Sequence, residues 1–419
     1  MAIVGGGPAG SALAARLAAA GRDVVVLERA PRWHWRAGGV FASPAALAAL
    51  RRTGLGDEVL RTVARPIPAM RVETPAGTSF RLDYGADAGG EPAVGFDRSA
   101  LDPALLDLAG TNGAEVRRGA TVVDADVRTG TLSVRGVDGS TNRVRAAIVV
   151  GADGLRSTVA RAAGVGRPVR LGQRVGLTYH LEDRDGAAPR DARMRVLRDG
   201  YVGIAPVPGG RVNVGIVLGA SWRPGLARGG AEAVARSIIE RIPPTSDDSA
   251  TWRFGRRCDS IEGAWPLGHR VTRRAGGAGG RGAGGAGRRP GAGWAGRRPG
   301  GGWLLVGDAA GFLDPFTGEG LHRALVSAEL AARAILAGEA RRLEAFASYD
   351  RQMRRRFLAK DAVSWLVQAF LAHPPLFEYA ARRIADRPAV RATMGLVMGD
   401  LVPAGRALDP RYLAALLAP

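Results

Sequence analysis

Residues 2–30, AIVGGGPAGSALAARLAAAGRDVVVLERA, constrain the fold more than any other stretch of the chain. A short apolar run stops at a glycine turn, a segment with Ala and Leu on one face follows, and a second strand is expected over 24–27. Gly5, Gly7 and Gly10 carry the G-x-G-x-x-G spacing directly after a strand and before a helix. In that pattern Gly5 permits the tight turn, Gly7 lets a pyrophosphate approach the backbone, and Gly10 lets helix pack on strand. Pro8 and Ala9 complete the loop, and the helix N-terminus faces the anion. Glu28 closes the second strand, followed by Arg29, and its carboxylate can accept from both hydroxyls of a ribose. The stretch therefore reads as a βαβ dinucleotide-binding unit, which a nicotinamide or a flavin dinucleotide satisfies equally.

A chain of 419 residues exceeds the size at which single cores stop growing, so two or three domains are expected. No run of 18 apolar residues occurs, because Arg16 interrupts the first Ala/Leu-rich segment and later helices carry charges every turn or so. A membrane span is not expected, and MAIVGGG enters a strand with neither a basic region nor a cleavage site, so a cytoplasmic location is. Cys258 is the sole cysteine, and the five histidines at 34, 180, 269, 322 and 373 lack metal-ligand spacing; no metal is expected. The formal net charge is +20, with Lys360 the one basic residue that is not arginine. Such a surface favours anionic partners: nucleotide phosphates, an acidic carrier protein, the headgroups of a peripherally contacted membrane, or nucleic acid.

Further along, residues 66–84 alternate like antiparallel strands, and FDRSALDPALLDLAGTNGA reads as a helix with Asp97 as N-cap. Strand-like runs return over 120–150, ending in IVVGADGLRS, and again at 175–181, 193–197, 201–207 and 211–218. From Leu321 onward helices dominate, over 321–337, 341–371 and shorter pieces beyond. The early strand, the GADG strand and a later Gly-Asp strand must lie together to serve one ligand, which makes the intervening segments an insertion. This gives a discontinuous nucleotide-binding domain (1–65, 96–170, 303–345), a substrate domain (66–95, 171–270) and a C-terminal helical region (346–419). Between them, 271–302 is expected to be a disordered Gly/Arg-rich loop, since 275–302 holds 14 glycines, five arginines and no acid. An Arg/Gly arm can bind RNA or single-stranded DNA, but aromatic residues are nearly absent and no nucleic-acid-binding fold accompanies it.

GWLLVGDAAGFLDPFTGEGLHRAL, residues 302–325, chooses between the dinucleotides. An FAD brings ribityl hydroxyls and a ring that becomes anionic when reduced. Asp308, at a strand end, can accept a ribityl hydroxyl in a charge-assisted bond of about 1.5–3 kcal/mol. The backbone N–H groups of Gly318, Glu319, Gly320 and Leu321, opening a helix, suit the developing charge.

Together, the first glycine motif with Glu28, then Gly151-Ala152-Asp153-Gly154-Leu155-Arg156-Ser157, then Gly307-Asp308 with Pro315 and Gly318-x-Gly320, resemble the three fingerprints of the p-hydroxybenzoate hydroxylase-like flavoproteins. The resemblance spans residues 5–320. It implies a Rossmann-like FAD-binding domain with an inserted, mostly antiparallel β-sheet substrate domain and a C-terminal helical region. It also implies that Asp153 and Gly154 lie near the pyrophosphate, that the middle motif is linked with both FAD and NAD(P)H, and that Arg98 lies beside FAD.

Within that superfamily the 307–325 segment is most similar to the geranylgeranyl reductase branch, whose Cys-Gly-Gly-Gly segment beside the flavin resembles the stretch opened by Arg36, Ala37 and Gly38. Ala37 stands where the branch often has its cysteine. GYVGIAPVPGGRVNVGIV looks like the substrate-lining strand, but Gly203 and Ala205 occupy positions usually aromatic, which implies a wider pocket. Tyr179, His180 and Tyr201 are further candidates to line it. Near the flavin, Ala37, Pro315 and His322 are the side chains placed closest to the chemistry. The paired Trp around Ile-Pro and the catalytic Lys of halogenases have no counterpart. The reading is an NAD(P)H-dependent FAD monooxygenase hydroxylating an aromatic or polyketide-like small molecule through flavin-bound oxygen. The alternatives are a reductase saturating isoprenoid C=C bonds and a nucleic-acid-binding protein.

Overall fold

The computed structural model describes residues 1–33, 38, 40–84, 91–169, 173–184, 190–241, 254–277, 301–338 and 342–418. Ala2–Val4 pairs in parallel with Val25–Glu28 on one side and Ile148–Gly151 on the other. Glu115–Arg118 and Gly302–Leu305 extend the parallel sheet, and Ala275–Gly277 adds an antiparallel edge. Alternate residues of these strands face opposite sides, and both sides are covered. Ile3, Val26, Val150 and Leu304 pack under the helices Pro8–Ala19, Arg98–Thr111 and Gly320–Ala337. Ala2, Val4, Leu27, Val149 and Leu305 face a three-stranded meander, Thr121–Asp126, Thr131–Arg135 and Thr141–Arg145. Asp97 caps its helix through the Ser99 N–H.

A second, mostly antiparallel sheet runs in the order Phe254–Arg257, Val175–Asp183, Arg211–Leu218, Gly200–Val207, Ala192–Leu197, Ala69–Glu73, Ser79–Asp83, with Glu262–Ala264 also paired to Val175–Asp183. The one parallel contact is between Ala192–Leu197 and Ala69–Glu73, where chain from both sides of the helix Arg98–Thr111 meets. The fold is thus Rossmann-like with an inserted sheet and C-terminal helices. One face of the second sheet is sealed by Arg223–Ile239, a helix bent at Gly230 that its Gly-rich sequence conceals. Arg342–Leu371, Pro374–Asp386 and Pro388–Met398 pack against Val72, Phe80 and Leu82 at its far end.

The reading of 271–302 as a single disordered loop is corrected at both ends. Arg270–Val271 pairs with Gly166–Arg167, and Ala275–Gly277 is a strand whose Gly277 pairs with Gly302. Backbone hydrogen bonding to the sheet edge outweighs the lack of apolar side chains there. Residues 278–300 lie outside the described residues.

Candidate active site

At the end of the first strand Gly5 turns with φ 104°, and a Cβ there would lie 2.5 Å from the Ala152 carbonyl oxygen. The glycine turn and the GADG segment therefore close directly on one another. A Cβ on Gly10 would stand 2.0 Å from the Gly5 oxygen, so helix and strand approach as the spacing requires. Gly7 differs, since among the described residues nothing lies within 4 Å of a Cβ built on it. Its open side, beside the helix N-terminus, is a cradle of the kind a pyrophosphate fills. Glu28 is 2% exposed and accepts from the Gly6 N–H at 2.8 Å and the Ala30 N–H at 2.9 Å, which fixes its carboxylate against the turn. Asp153 Oδ2 accepts from the Thr158 N–H at 2.7 Å, whereas Oδ1 is buried with no hydrogen-bond partner among the described residues. Burial pushes that carboxyl upward.

A cleft of about 330 Å³ leads from this turn to the second sheet. Pro8, Ala9, Arg98, Gly154, Gly307 and Asp308 line its nucleotide end, with Gly38 on the wall. Arg29 is exposed on the surface beyond Glu28 and does not line the cleft. Pro315, Gly318, Gly320 and Leu321 line it where the helix Gly320–Ala337 begins. Gly318 has φ 66°, and a Cβ on it would reach to 2.5 Å from Phe41 Cδ1, so the loop fits only without a side chain there. Arg98 forms a bidentate pair with Asp102, Nε and Nη2 donating at 2.7 Å each. Among the described residues no donor hydrogen-bonds the Asp308 carboxyl, and burial raises it to about 6 against the pull of Arg98 and Arg323. A carboxylate in that state suits a hydroxyl donor. The chain thus offers a carboxylate for a ribose, an open turn for a pyrophosphate, an acceptor for a ribityl chain and backbone N–H groups for a reduced ring. These residues fit an FAD.

The floor of the cleft is one face of the second sheet. Tyr201, Gly203 and Ala205 line it. Gly203 pairs directly with Gly215, which leaves a trough without side chains across two strands. At one end of the floor the Tyr201 hydroxyl donates to Asp314 Oδ1 at 2.5 Å, and Arg174 donates to Asp314 Oδ2 at 3.1 Å. Tyr201 also meets Phe316 edge to face at 5.0 Å. Asp314 immediately precedes Pro315, so this contact ties the floor to the cofactor loop.

Three of the side chains expected at the substrate or the flavin ring, Tyr179, His180 and His322, do not line the cleft. Tyr179 is buried on the opposite face with Leu177 and Leu181, against Arg223–Ile239, because alternate residues of a strand point apart. His180 shares the floor face but is 1% exposed and bonded to Asp259, so it stands behind the lining. His322 is buried, with Nδ1 3.1 Å from Asp400 Oδ2; Asp400 also binds Lys360 Nζ at 2.7 Å and Ser43 Oγ at 2.8 Å. That network holds the start of the helix Gly320–Ala337 to the C-terminal region, and it occupies Lys360. Arg36 and Ala37 lie outside the described residues. Asn213 and Thr178, which do line the cleft, were not anticipated. Their signal is a lone polar side chain on the floor face of VNVGIV, where Val212, Val214 and Ile216 point the other way.

Comparison with known proteins finds relatives that align with most of the chain. A menaquinone reductase of Mycolicibacterium smegmatis is 26% identical over 96% of this chain and 91% of its own length. A digeranylgeranylglycerophospholipid reductase of Methanosphaerula palustris is 28% identical over 85% of this chain and 82% of its own. The crystal structure of a geranylgeranyl bacteriochlorophyll reductase-like protein from Thermoplasma acidophilum superposes with a TM-score of 0.70 at 21% identity, covering 100% of this chain and 95% of that one, and so shares the fold. The model of the FAD binding domain family matches residues 1–249, more than half of the chain, and with the turn, the carboxylates and the cleft in place the chain belongs to that family of FAD-dependent oxidoreductases.

Proposed function

We propose that this flavoprotein saturates C=C bonds in a largely apolar, isoprenoid-bearing molecule. The observation that carries the reading is the cleft itself: beyond its nucleotide end the walls are Val40, Met70, Leu155, Met194 and Leu267. Phe316 separates it from a second, almost wholly apolar cavity of about 80 Å³, between the hairpin Ala69–Asp83 and the C-terminal helices. The reductase names of the two sequence relatives support the same reading. Reduced FAD would supply a hydride to one alkene carbon while the other takes a proton, two hydrogens in all, with NAD(P)H or another donor restoring the cofactor. The chain's part is to keep the reacting bond dry and oriented between the apolar walls and the loop 315–321. A charge of +20 would draw the protein to anionic lipid headgroups, where such substrates reside. No helix among the described residues is long and apolar enough to cross a membrane, so this contact would be peripheral.

A second reading, an NAD(P)H-dependent monooxygenase acting on an aromatic ring, is favoured by the Gly203–Gly215 trough, where two paired strands present no side chain to the cleft. One experiment separates the two. Chemically reduced full-length protein is mixed with a prenylated naphthoquinone, first without oxygen and then under ¹⁸O₂. Anaerobic gain of two hydrogens on the prenyl chain supports the reductase. Labelled oxygen in the ring without saturation would overturn it in favour of the monooxygenase.

A further inference from the structure

The polar side chains of the cleft are nearly all committed elsewhere. Arg193 is 5% exposed and donates to Glu73 through Nε at 3.0 Å and Nη2 at 2.7 Å. Arg98 is paired with Asp102, Tyr201 with Asp314, and Asp308 lies at the nucleotide end. Asn213 and Thr178 remain, adjacent on the sheet floor, 4% and 6% exposed. Asn213 Nδ2 donates to Thr178 Oγ1 at 3.0 Å, and both the Tyr179 carbonyl oxygen and His180 Nε2 lie 3.4 Å from it. His180 Nδ1 in turn lies 2.5 Å from Asp259 Oδ2, and Asp259 Oδ1 accepts the His180 backbone N–H at 2.8 Å.

This chain of contacts fixes which atoms face the cleft. A proton on Nδ1, held by Asp259, makes Nε2 an acceptor, and burial, which disfavours the imidazolium, keeps the ring neutral. Both hydrogens of the Asn213 amide are then directed inward, one to Thr178 and the other shared between His180 Nε2 and the Tyr179 carbonyl oxygen. Asn213 Oδ1 is left as an acceptor, and Thr178, whose oxygen is already accepting, has its O–H to donate. Among the described residues neither Asn213 Oδ1 nor the Thr178 O–H has a protein partner. Next to this pair, toward Tyr201, the floor is the Gly203–Gly215 trough. From Ala205 to Tyr201 the strand covers about 13 Å at 3.2–3.4 Å per residue, room for a flat ring and the first part of an attached chain.

We propose that Asn213 and Thr178 are specificity-determining residues that bind the oxygen of a phenol- or quinone-type ring lying on the glycine trough, with His180 and Asp259 as positioning residues. The inference rests on the reductase reading and names its substrate class: an isoprenoid chain attached to an oxygenated ring, rather than an acyclic polyprenyl lipid.

The test uses flavin-loaded, oxidised, full-length protein and two probes, a naphthoquinone bearing a short prenyl chain and an acyclic polyprenyl hydrocarbon of similar length. Binding is read from the perturbation of the flavin absorbance. Asn213→Leu should weaken the quinone roughly 5- to 10-fold and leave the hydrocarbon within about two-fold. His180→Phe should reproduce that selective loss, and His180→Gln, which can donate to Asp259 and accept from Asn213, should restore binding, which a merely structural role would not. Equal weakening of both probes, or quinone binding unchanged in Asn213→Leu, overturns the inference; so does a wild-type protein that prefers the hydrocarbon. If the selective loss is seen but no alkene is saturated anaerobically, the ring site stands and the reductase reading fails.

Discussion

Replacing Asp308 by Asn removes one charge and almost no volume, so its two expected effects have opposite signs. In the unfolded chain this carboxyl ionises near 3.8, and in the fold near 6. The folded state therefore holds the proton longer, and stability declines as pH rises from about 4 to 6, then stays at its lower level. The difference of about 2 pH units corresponds to at most about 3 kcal/mol, and because Asp308 borders the open cleft, where water screens it, about 1–2 kcal/mol is expected. FAD-free Asp308→Asn should thus melt higher than FAD-free wild type at pH 7, by on the order of 2–4 °C. Cofactor affinity should move the other way. A hydroxyl donating to a carboxylate gives about 1.5–3 kcal/mol and to a neutral acceptor about 0.5–1.5, so Asn should weaken FAD roughly 5- to 10-fold and Ala roughly 10- to 100-fold. Since the ligand favours the ionised carboxyl, wild-type affinity should fall below about pH 6, whereas the Asn variant should show no such fall. Fluorescence titration of FAD into the stripped protein between pH 5 and 8, with melting curves of the same samples, measures all three. An Asn variant that binds FAD as tightly as wild type, or that melts lower when stripped, would refute the assignment.

Gly10→Val should yield protein without bound FAD, since even a Cβ would press on the Gly5 oxygen at 2.0 Å; flavin absorbance after purification checks it. Gly277 and Gly302 are ladder partners, so exchanging 278–301 for a short hairpin turn should leave FAD content and melting temperature nearly unchanged. Asp400→Asn should destabilise by about 3–5 kcal/mol in denaturant titration, because Lys360 loses its buried counter-charge. Although burial opposes it, hydrogen bonds and charge from His322 and Lys360 hold the Asp400 carboxyl far below its ordinary value. Its contribution is therefore present above the unfolded value near 3.8 and lost in stronger acid, and the variant should lose less stability than wild type on acidification.

The βαβ opening, the Asp97 cap, the second-sheet strands up to Leu218 and the glycines at the nucleotide end of the cleft were legible in the sequence, whereas Phe254–Arg257 and Glu262–Ala264 were not. Each depends on neighbours within a turn or a strand: helical and strand periodicity, side-chain capping, and glycine where a Cβ would collide. Helix 223–239 escaped because its glycines mask the apolar side formed by Val234, Ala235 and Ile238.

The composition of the site was a different matter. Alternation put Tyr179 and His180 on opposite faces of one strand, but only the packing of Arg223–Ile239 decided which face became core and which became floor. Tyr201 meets Asp314 across 113 residues, His180 meets Asp259 across 79, and Asp400 joins Ser43 across 357. None of these pairs has a periodic signature, because a buried polar group takes whichever partner folding brings within about 3 Å. The sequence alone determined where a dinucleotide must lie, since a backbone cradle is a local structure. Tertiary structure decided what lies opposite it, because the cleft is the space left between two sheets and its polar atoms are those for which burial found no other partner.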